Sequence, residues 1–485
     1  MKRKTTISTV WKQATLVFFS SICLSGLGGC QDGGTTYGAP QGSPSNPDQP
    51  VTFTDFTPNE GPVRTRMYIN GENFGTDISL IEVFIGGQKA KVIHSSDKQI
   101  YCMVPARASG GYVEVTIKNP DGNEYVKHTF DQRFTYHFNE MVGTLWGKVD
   151  ENGNSSVKDG SFEEAETIEP RLALFDDKDG RREIYFCEGN KTIRKMDLNK
   201  REVTTVLKSG SVDWKSINTM CWSKEKDTLF VNNVTTVQDA PGIYYFLRKE
   251  NFQIPHNCVI MKNVNCIFVN DADPDDWGIY FITKDKSMLY KGTFNPETGL
   301  WDPEELHTFG NGGQWYENAV FHPEGKYLYC LARGQHCIQK VVYDPETNQL
   351  EKPDVFVGYS GSIGYVDGVG TNARFNIPMQ GVFVKNEQYV KEGKDDIYDF
   401  YVMDANNHCV RIVSPEGVVT TYAGRGSATS DGRAYGYIDG PIRTDARFNT
   451  PMGLCYEEST ATFYVCDKNN RRIRTILRGS IQNVA

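Results

Sequence analysis

From about residue 51 to 138, apolar and polar positions alternate along the chain without a helical period. Met67-Tyr68-Ile69-Asn70, Ile81-Glu82-Val83-Phe84-Ile85 and Tyr112-Val113-Glu114-Val115-Thr116-Ile117 are the clearest runs, divided by glycines and prolines. Successive side chains of a strand leave on opposite faces, so this period turns one face to a core and the other to water. Short strands at that spacing predict an antiparallel sandwich.

From 141 to 485 the runs become more continuously apolar, and they recur. Tyr365-Val366-Asp367-Gly368 returns as Tyr437-Ile438-Asp439-Gly440, and Ala373-Arg374-Phe375-Asn376-Ile377-Pro378-Met379 as Ala446-Arg447-Phe448-Asn449-Thr450-Pro451-Met452. Asp404-Ala405-Asn406-Asn407-His408-Cys409-Val410-Arg411 returns as Asp467-Lys468-Asn469-Asn470-Arg471-Arg472-Ile473-Arg474. Fainter copies lie at 184–190, 228–233, 278–283 and 327–332, which makes six. A strand unit that cannot bury its own faces must stack on its neighbours, so six copies predict a stacked repeat array. The last copy lacks the outer strand that Val418-Val419-Thr420-Thr421-Tyr422-Ala423-Gly424 supplies to the one before. Val142-Gly143-Thr144-Leu145-Trp146-Gly147, at the start of the region, has the missing pattern, and Asp159-Gly160 to Pro170 follow the spacing of Asp367-Gly368 to Pro378. Pairing the first segment with the last leaves no open edge.

Ahead of both regions, Lys2, Arg3 and Lys4 precede an uncharged apolar stretch, 14–27, that ends in Leu27-Gly28-Gly29-Cys30. The stretch is short for a bilayer span, and small residues before a cleavage point suit a signal peptidase. This tetrapeptide resembles the bacterial lipobox, which implies removal of residues 1–29 and a lipid on the Cys30 thiol. Residues 30–50 are rich in Gly, Ser, Thr, Pro and Asn and predict a flexible tether. Asp32 and the glycines after it resemble the surface-export signal of Bacteroidota lipoproteins.

Two further resemblances follow from motifs in order. Pro58-Asn59-Glu60-Gly61-Pro62, Ile69-Asn70-Gly71-Glu72-Asn73-Phe74-Gly75, Phe84-Ile85-Gly86-Gly87, Val104-Pro105 and Asn119-Pro120-Asp121-Gly122 resemble the IPT/TIG immunoglobulin-like domain. There Gly71 and Gly75 suit tight turns around a buried Phe74. The paired copies of the second region resemble NHL repeats. The expected fold is therefore all-β, an IPT/TIG sandwich at 51–138 and a six-bladed propeller at 141–485.

Composition narrows the partners. A net charge of −9 argues against nucleic acid, whose phosphates call for a basic surface. Twelve cysteines suggest disulfides until they are placed: Cys23 leaves with the signal, Cys30 carries lipid, and Cys187, Cys330, Cys455 and Cys466 sit in apolar strand-like runs. There is no CxxC and no zinc spacing, so buried thiols are the reading.

Candidate chemistry gathers on the propeller face formed by the loops into the innermost strands and between the second and third strands. Trp214, Trp315, Tyr316, Arg374, Asn376, Arg447, Asn449, His336 and His408 belong there, around the channel mouth. The Asp404/Asn407 and Asp467/Asn470 pairs suit turn capping. Arg374 and Arg447 suit either a bridge between blades or a ligand, since a guanidinium fork serves both. His336 and His408 occupy matching positions and form the fallback metal pair, but the third matched residue is the cation Arg471, where a zinc site needs another ligand. With no GxSxG or HExxH, the sequence assigns no catalytic residue, metal or cofactor. Trp315 and Tyr316 follow the glycine-rich run Gly310-Asn311-Gly312-Gly313-Gln314, which predicts exposed rings suited to stacking on sugars.

The whole arrangement looks like the surface lipoproteins encoded with polysaccharide-utilisation systems in gut Bacteroidota. That resemblance implies a non-catalytic glycan-binding lipoprotein of the outer membrane, facing outward and serving a transporter and its partner lipoprotein. It is an analogy, because fold does not fix function. The alternatives are a metal-dependent propeller lyase or lactonase and a scaffold for another envelope protein.

Overall fold

The computed structural model describes residues 42–477 except 62–64, 106–110, 137–139, 311, 313, 345–346, 348 and 427–434. The signal segment and Cys30 lie outside the described residues. No helix among the described residues is long and apolar enough to cross a membrane.

The alternating segment forms a two-layered sheet over one core. Thr52–Thr57, Arg66–Glu72, Gln99–Met103 and Gln88–Ser96 make one layer, and Ile81–Ile85, Gly111–Lys118 and Glu124–Tyr136 the other. Gln88–Ser96 pairs with strands of both layers and turns the corner. Inward-alternating Met67, Ile69, Val83, Ile85, Val113 and Val115 fill the space between. Phe74 is buried as expected, and Gly71 is needed because a Cβ there would collide with the Thr52 carbonyl and the Phe74 ring.

The tether is shorter than composition suggested. Residues 43–49, assigned to it for their polarity, are pinned to the sandwich. The Asn73 side chain accepts from the Asn46 N–H at 2.7 Å and donates to the Asn46 and Gln49 carbonyls at 2.9 and 2.7 Å. The Ser43 carbonyl accepts from the Thr76 and Asp77 N–H groups. Polar residues dock here through backbone hydrogen bonds, which a hydropathy pattern does not register.

The second region is a propeller of six blades. Their innermost strands are Pro170–Asp176, Met220–Trp222, Val264–Val269, Tyr316–Phe321, Pro378–Lys385 and Pro451–Glu457, for blades 1 to 6, and they touch in sequence around a ring that closes between the last and the first. The second strands, Glu183–Glu188, Thr228–Asn232, Ile279–Thr283, Tyr327–Ala332, Tyr398–Asp404 and Thr462–Asp467, coincide with the six repeat copies read from the sequence. Six hydrophobic cores each straddle two neighbouring blades. That explains the continuously apolar runs: a sheet packed on both faces has no watered side.

The ring closes as predicted. Met141–Trp146 pairs antiparallel with Arg472–Leu477, with Ile476 opposite Val142 and Ile473 opposite Trp146. Trp146 enters the core shared by blades 6 and 1. All ten cysteines of the described residues are free thiols, nine of them buried and Cys221 half-buried.

Candidate functional site

One end of the propeller carries a repeated polar device. In blade 6 the buried Arg474 donates to Asp467 at 2.8 Å, to Asp439 at 2.6 Å and to the Arg447 and Ile438 carbonyls. Arg411 does the same in blade 5 with Asp404, Asp367 and the Arg374 and Val366 carbonyls. Arg194 does so in blade 1 with Glu188, Asp159 and the Glu166 and Lys158 carbonyls. All three guanidinium groups are 0% exposed. Asp159, Asp367 and Asp439 each take an N–H from the outer strand, at Thr205, Thr421 and Thr144. Thr144 belongs to the closing strand, so the device also locks the ring. Asp404 and Asp467 accept from Asn407 and Asn470 in their own turns, as expected, and from the Asn376 and Asn449 N–H groups at 2.7 and 2.8 Å. Blade 2 replaces the acid with Asn232, which accepts from the Asn218 and Thr219 N–H groups.

The residues proposed for ligand contact at this end are largely occupied. Tyr316 is not on an exposed loop: it opens an inner strand, is 0% exposed, packs on Phe309 and donates to Gln339 at 2.9 Å. Trp214 is 4% exposed, packs edge-on against Tyr244 and Phe246, and donates from Nε1 to the Lys191 carbonyl. The glycine-rich run before Tyr316 predicts an exposed ring because local composition does not register packing between blades. Trp315 is half-buried with the Lys284 ammonium 3.7 Å above its ring. Arg374 donates to the Thr371 and Ala373 carbonyls and lies over Tyr359. Arg447, Asn376 and Asn449 are half-buried in the loops that the buried arginines tie down. His336 and His408 are inter-blade staples. Their Nδ1 atoms accept the Ile377 and Thr450 N–H groups of the next blade at 3.1 and 3.0 Å. Burial lowers both pKa values, which keeps the rings neutral for that role. Among the described residues no three His, Cys, Asp or Glu side chains gather as a metal would need.

The channel is crossed on this side. Arg171 of blade 1 and Glu317 of blade 4 lie on opposite sides of a six-membered ring, yet their Nη2 and Oε2 atoms are 4.0 Å apart, and Arg333 also binds Glu317. The Gln380 amide then bridges three blades. It accepts from the Ala173 and Leu454 N–H groups at 2.8 and 3.0 Å and donates to the Ala173 carbonyl at 2.8 Å. An innermost strand has no partner on its axial edge, and Gln380 supplies one.

Beyond Gln380 the channel widens into a funnel of about 1090 Å³ that opens at the other end, among the loops joining first to second strands. Half-buried Phe175, Phe383 and Tyr456 lie in its wall with Val320 and Val382, and Trp222 presents a buried Nε1 that has no hydrogen-bond partner. The rim carries both signs of charge, mostly already paired. Arg182 forks onto Glu457, with Nη2 to Oε2 at 2.8 Å, and Lys226 meets Asp177. Burial would raise Glu457, but hydrogen bonds from Arg182, Tyr464 and Thr460 outweigh it and hold the carboxyl below its ordinary range. His322, fully buried beside the wall, contacts Asp396 at 3.1 Å through Nε2 and accepts the Glu324 N–H on Nδ1. Asp271 is exposed at the cavity rim, where desolvation outweighs Lys226 and Lys224 and holds its carboxyl above the ordinary range. None of these funnel residues was singled out from the sequence. Phe175, Phe383 and Tyr456 hold one register position, the fifth after the opening proline of the innermost strand, in blades 1, 5 and 6, whereas the rim loops around them differ from repeat to repeat.

These features define an all-β protein with an immunoglobulin-like module followed by a six-bladed NHL-type propeller. The IPT/TIG family model matches residues 50–136. Chicken NHL repeat-containing protein 2 is 25% identical over 339 residues, 67% of this chain, and the chain spans only 41% of that relative's length. Among solved structures, an auxiliary nutrient binding protein from Bacteroides thetaiotaomicron is 35% identical, with 89% of this chain and 99% of that one covered and a TM-score of 0.66. An auxiliary nutrient binding protein from Bacteroides ovatus is 32% identical, with 90% and 100% covered and a TM-score of 0.77. A third, from Bacteroides thetaiotaomicron and provisionally described as a phosphatase, is 31% identical, with 90% and 99% covered and a TM-score of 0.67. The chain belongs to the same family as these Bacteroides proteins.

Proposed function

We propose that this protein is a non-catalytic binding protein of the bacterial envelope that holds a glycan in the propeller funnel. The observation that carries this reading is the one-ended cavity, with aromatic and aliphatic walls and a rim whose charges are mostly paired with each other. A cavity of that size with apolar walls and a few polar groups is the usual form of a small-ligand site. The cavity-facing parts of rings such as Phe175 and Tyr456 suit the C–H faces of sugars. Unpaired backbone groups on the axial edges of the inner strands suit their hydroxyls. Two relatives described as auxiliary nutrient binding proteins support a binding role.

The finer reading places the protein on the outer membrane through a lipid on Cys30, passing glycan to a transporter and its partner lipoprotein. Cys30→Ala should then leave the precursor unprocessed or release the protein, and unchanged membrane retention would overturn the anchor. For the ligand, a glycan array and affinity gels with residues 42–485 should find a retained polysaccharide. Tyr456→Ala should weaken that retention in protein that is still folded at the assay temperature, and retention unaffected by Tyr456→Ala and Phe175→Ala would remove the funnel from the proposal. The enzyme reading rests on the provisional phosphatase description of one relative. Turnover of p-nitrophenyl phosphate that stops with EDTA would favour it.

A further inference from the structure

We infer that Trp277 forms an outer sugar-stacking subsite on the lip of the funnel, so that the protein binds along a glycan chain instead of at a chain end alone. This rests on the glycan reading above and extends it. Trp277 is 66% exposed, the only exposed tryptophan among the described residues. It stands in the loop between Val269 and Ile279 of blade 3, which also gives Asp271 and Ala272 to the funnel wall. Lys224, from the equivalent loop of blade 2, connects the two places: it lines the funnel, and its ammonium lies 5.2 Å from the centre of the Trp277 ring. A chain that fills the funnel and leaves between blades 2 and 3 passes over Lys224 and reaches the indole.

The loop holds the ring in place. The adjacent Asp276 is buried, accepts from the Tyr280 hydroxyl at 2.6 Å and the Gly278 N–H at 3.0 Å, and pairs with Lys291 at 3.0 Å. On the other side, Asp273 accepts from the Tyr343 hydroxyl at 2.8 Å and the Asp275 N–H at 2.9 Å, while Lys224 donates to its carbonyl. A large apolar ring on a loose loop can fold back onto the surface. Here both flanks are anchored, and the indole stays in water. Such a preorganised aromatic loses little entropy when a flat apolar face covers it. The chemistry that fits is a pyranose ring, apolar on its C–H face and hydroxylated at its edge, with Lys224 available to the hydroxyls. No other loop on this rim presents an exposed aromatic ring among the described residues.

The test is length dependence. Wild-type protein, Trp277→Ala, Trp277→Phe and Tyr456→Ala would be titrated with gluco-, xylo-, manno- and galacto-oligosaccharide ladders from disaccharide to octasaccharide. The expected result is that Trp277→Ala loses about three- to tenfold in affinity for the long members, leaves the shortest binders unchanged, and is largely rescued by Phe. Tyr456→Ala should weaken every length. The tryptophan emission that Trp277→Phe removes should shift on adding long members only. Ladder binding with full affinity in Trp277→Ala at every length overturns the subsite and leaves the funnel reading standing. An equal loss at every length, disaccharide included, overturns the outer position of the subsite. If the wild-type protein binds no ladder, the glycan reading itself falls and the subsite with it.

Discussion

The two ends of the propeller channel are built by the same six blades yet have opposite characters. At one end, buried Arg194, Arg411 and Arg474 saturate themselves with carboxylates and carbonyls, His336 and His408 staple successive blades, and Arg171 meets Glu317 across the axis. At the other, the connecting loops are irregular and a cavity remains beyond Gln380. The difference shows that a recurring polar motif in a repeat fold is evidence of a shared structural need. The sealed end governs stability, and the open end should govern binding.

The largest effect should come from breaking closure at the sealed end. A chain starting at Glu140 keeps the strand Met141–Trp146, whereas one starting at Asp150 leaves Arg472–Leu477 unpaired and Asp439 without Thr144. The first should give a stable propeller. The second should be insoluble or melt far lower, and equal melting curves would show that closure matters less than the pairing implies. Next, Arg474→Ala leaves Asp467 buried without its cation. Breaking a buried pair from one side costs about 3–5 kcal/mol, a fall in Tm of the order of 5 °C for a domain of this size. Glycan affinity of the folded variant should not change, and a parallel loss of affinity would break the division between the ends.

A smaller effect belongs to the open end. Tyr456→Ala should weaken glycan binding several-fold to tenfold, from an aromatic contact of about 0.5–1.5 kcal/mol beyond its area burial. Trp315→Ala and Arg374→Ala, at the sealed end, should leave binding as it is. The reverse pattern would return the site to the face first read from the sequence.

The smallest effect is one of pH. His336 and His408 have pKa values lowered by burial from 6.5, so the unfolded chain takes up protons at those residues before the folded one does. Stability from this source is complete above pH 6.5 and is lost as pH falls below it. Melting temperature should therefore decline on acidification from neutrality. His336→Ala with His408→Ala should flatten that decline, which differential scanning fluorimetry across the range would detect.

Periodicity, together with the resemblance to IPT/TIG domains and NHL repeats, was enough for the architecture. Alternation at 67–70, 81–85 and 112–117 identified half-buried strands, and six copies of one apolar run identified six blades. The match of Val142 to Gly147 with Val418 to Gly424 identified the strand that closes the ring. These features were legible because every blade must bury the same two faces, which forces the same residues to recur. The same recurrence marks positions that the fold itself uses. Arg374, Asn376, Arg447 and Asn449 repeat because loops tied by Arg411 and Arg474 repeat. Tyr316, which follows a glycine-rich run, and Trp214 are core residues because burial depends on what the neighbouring blade brings against them. Only the tertiary structure joined Arg171 to Glu317 and Gln380 to Ala173, partners far apart in the chain that face one another across the axis. By closing the channel at that end, they leave its cavity to the opposite mouth. The sequence determined how many blades there are and how the ring shuts, because those depend on local period. Which mouth is open depends on contacts across the ring, and no local pattern encodes them.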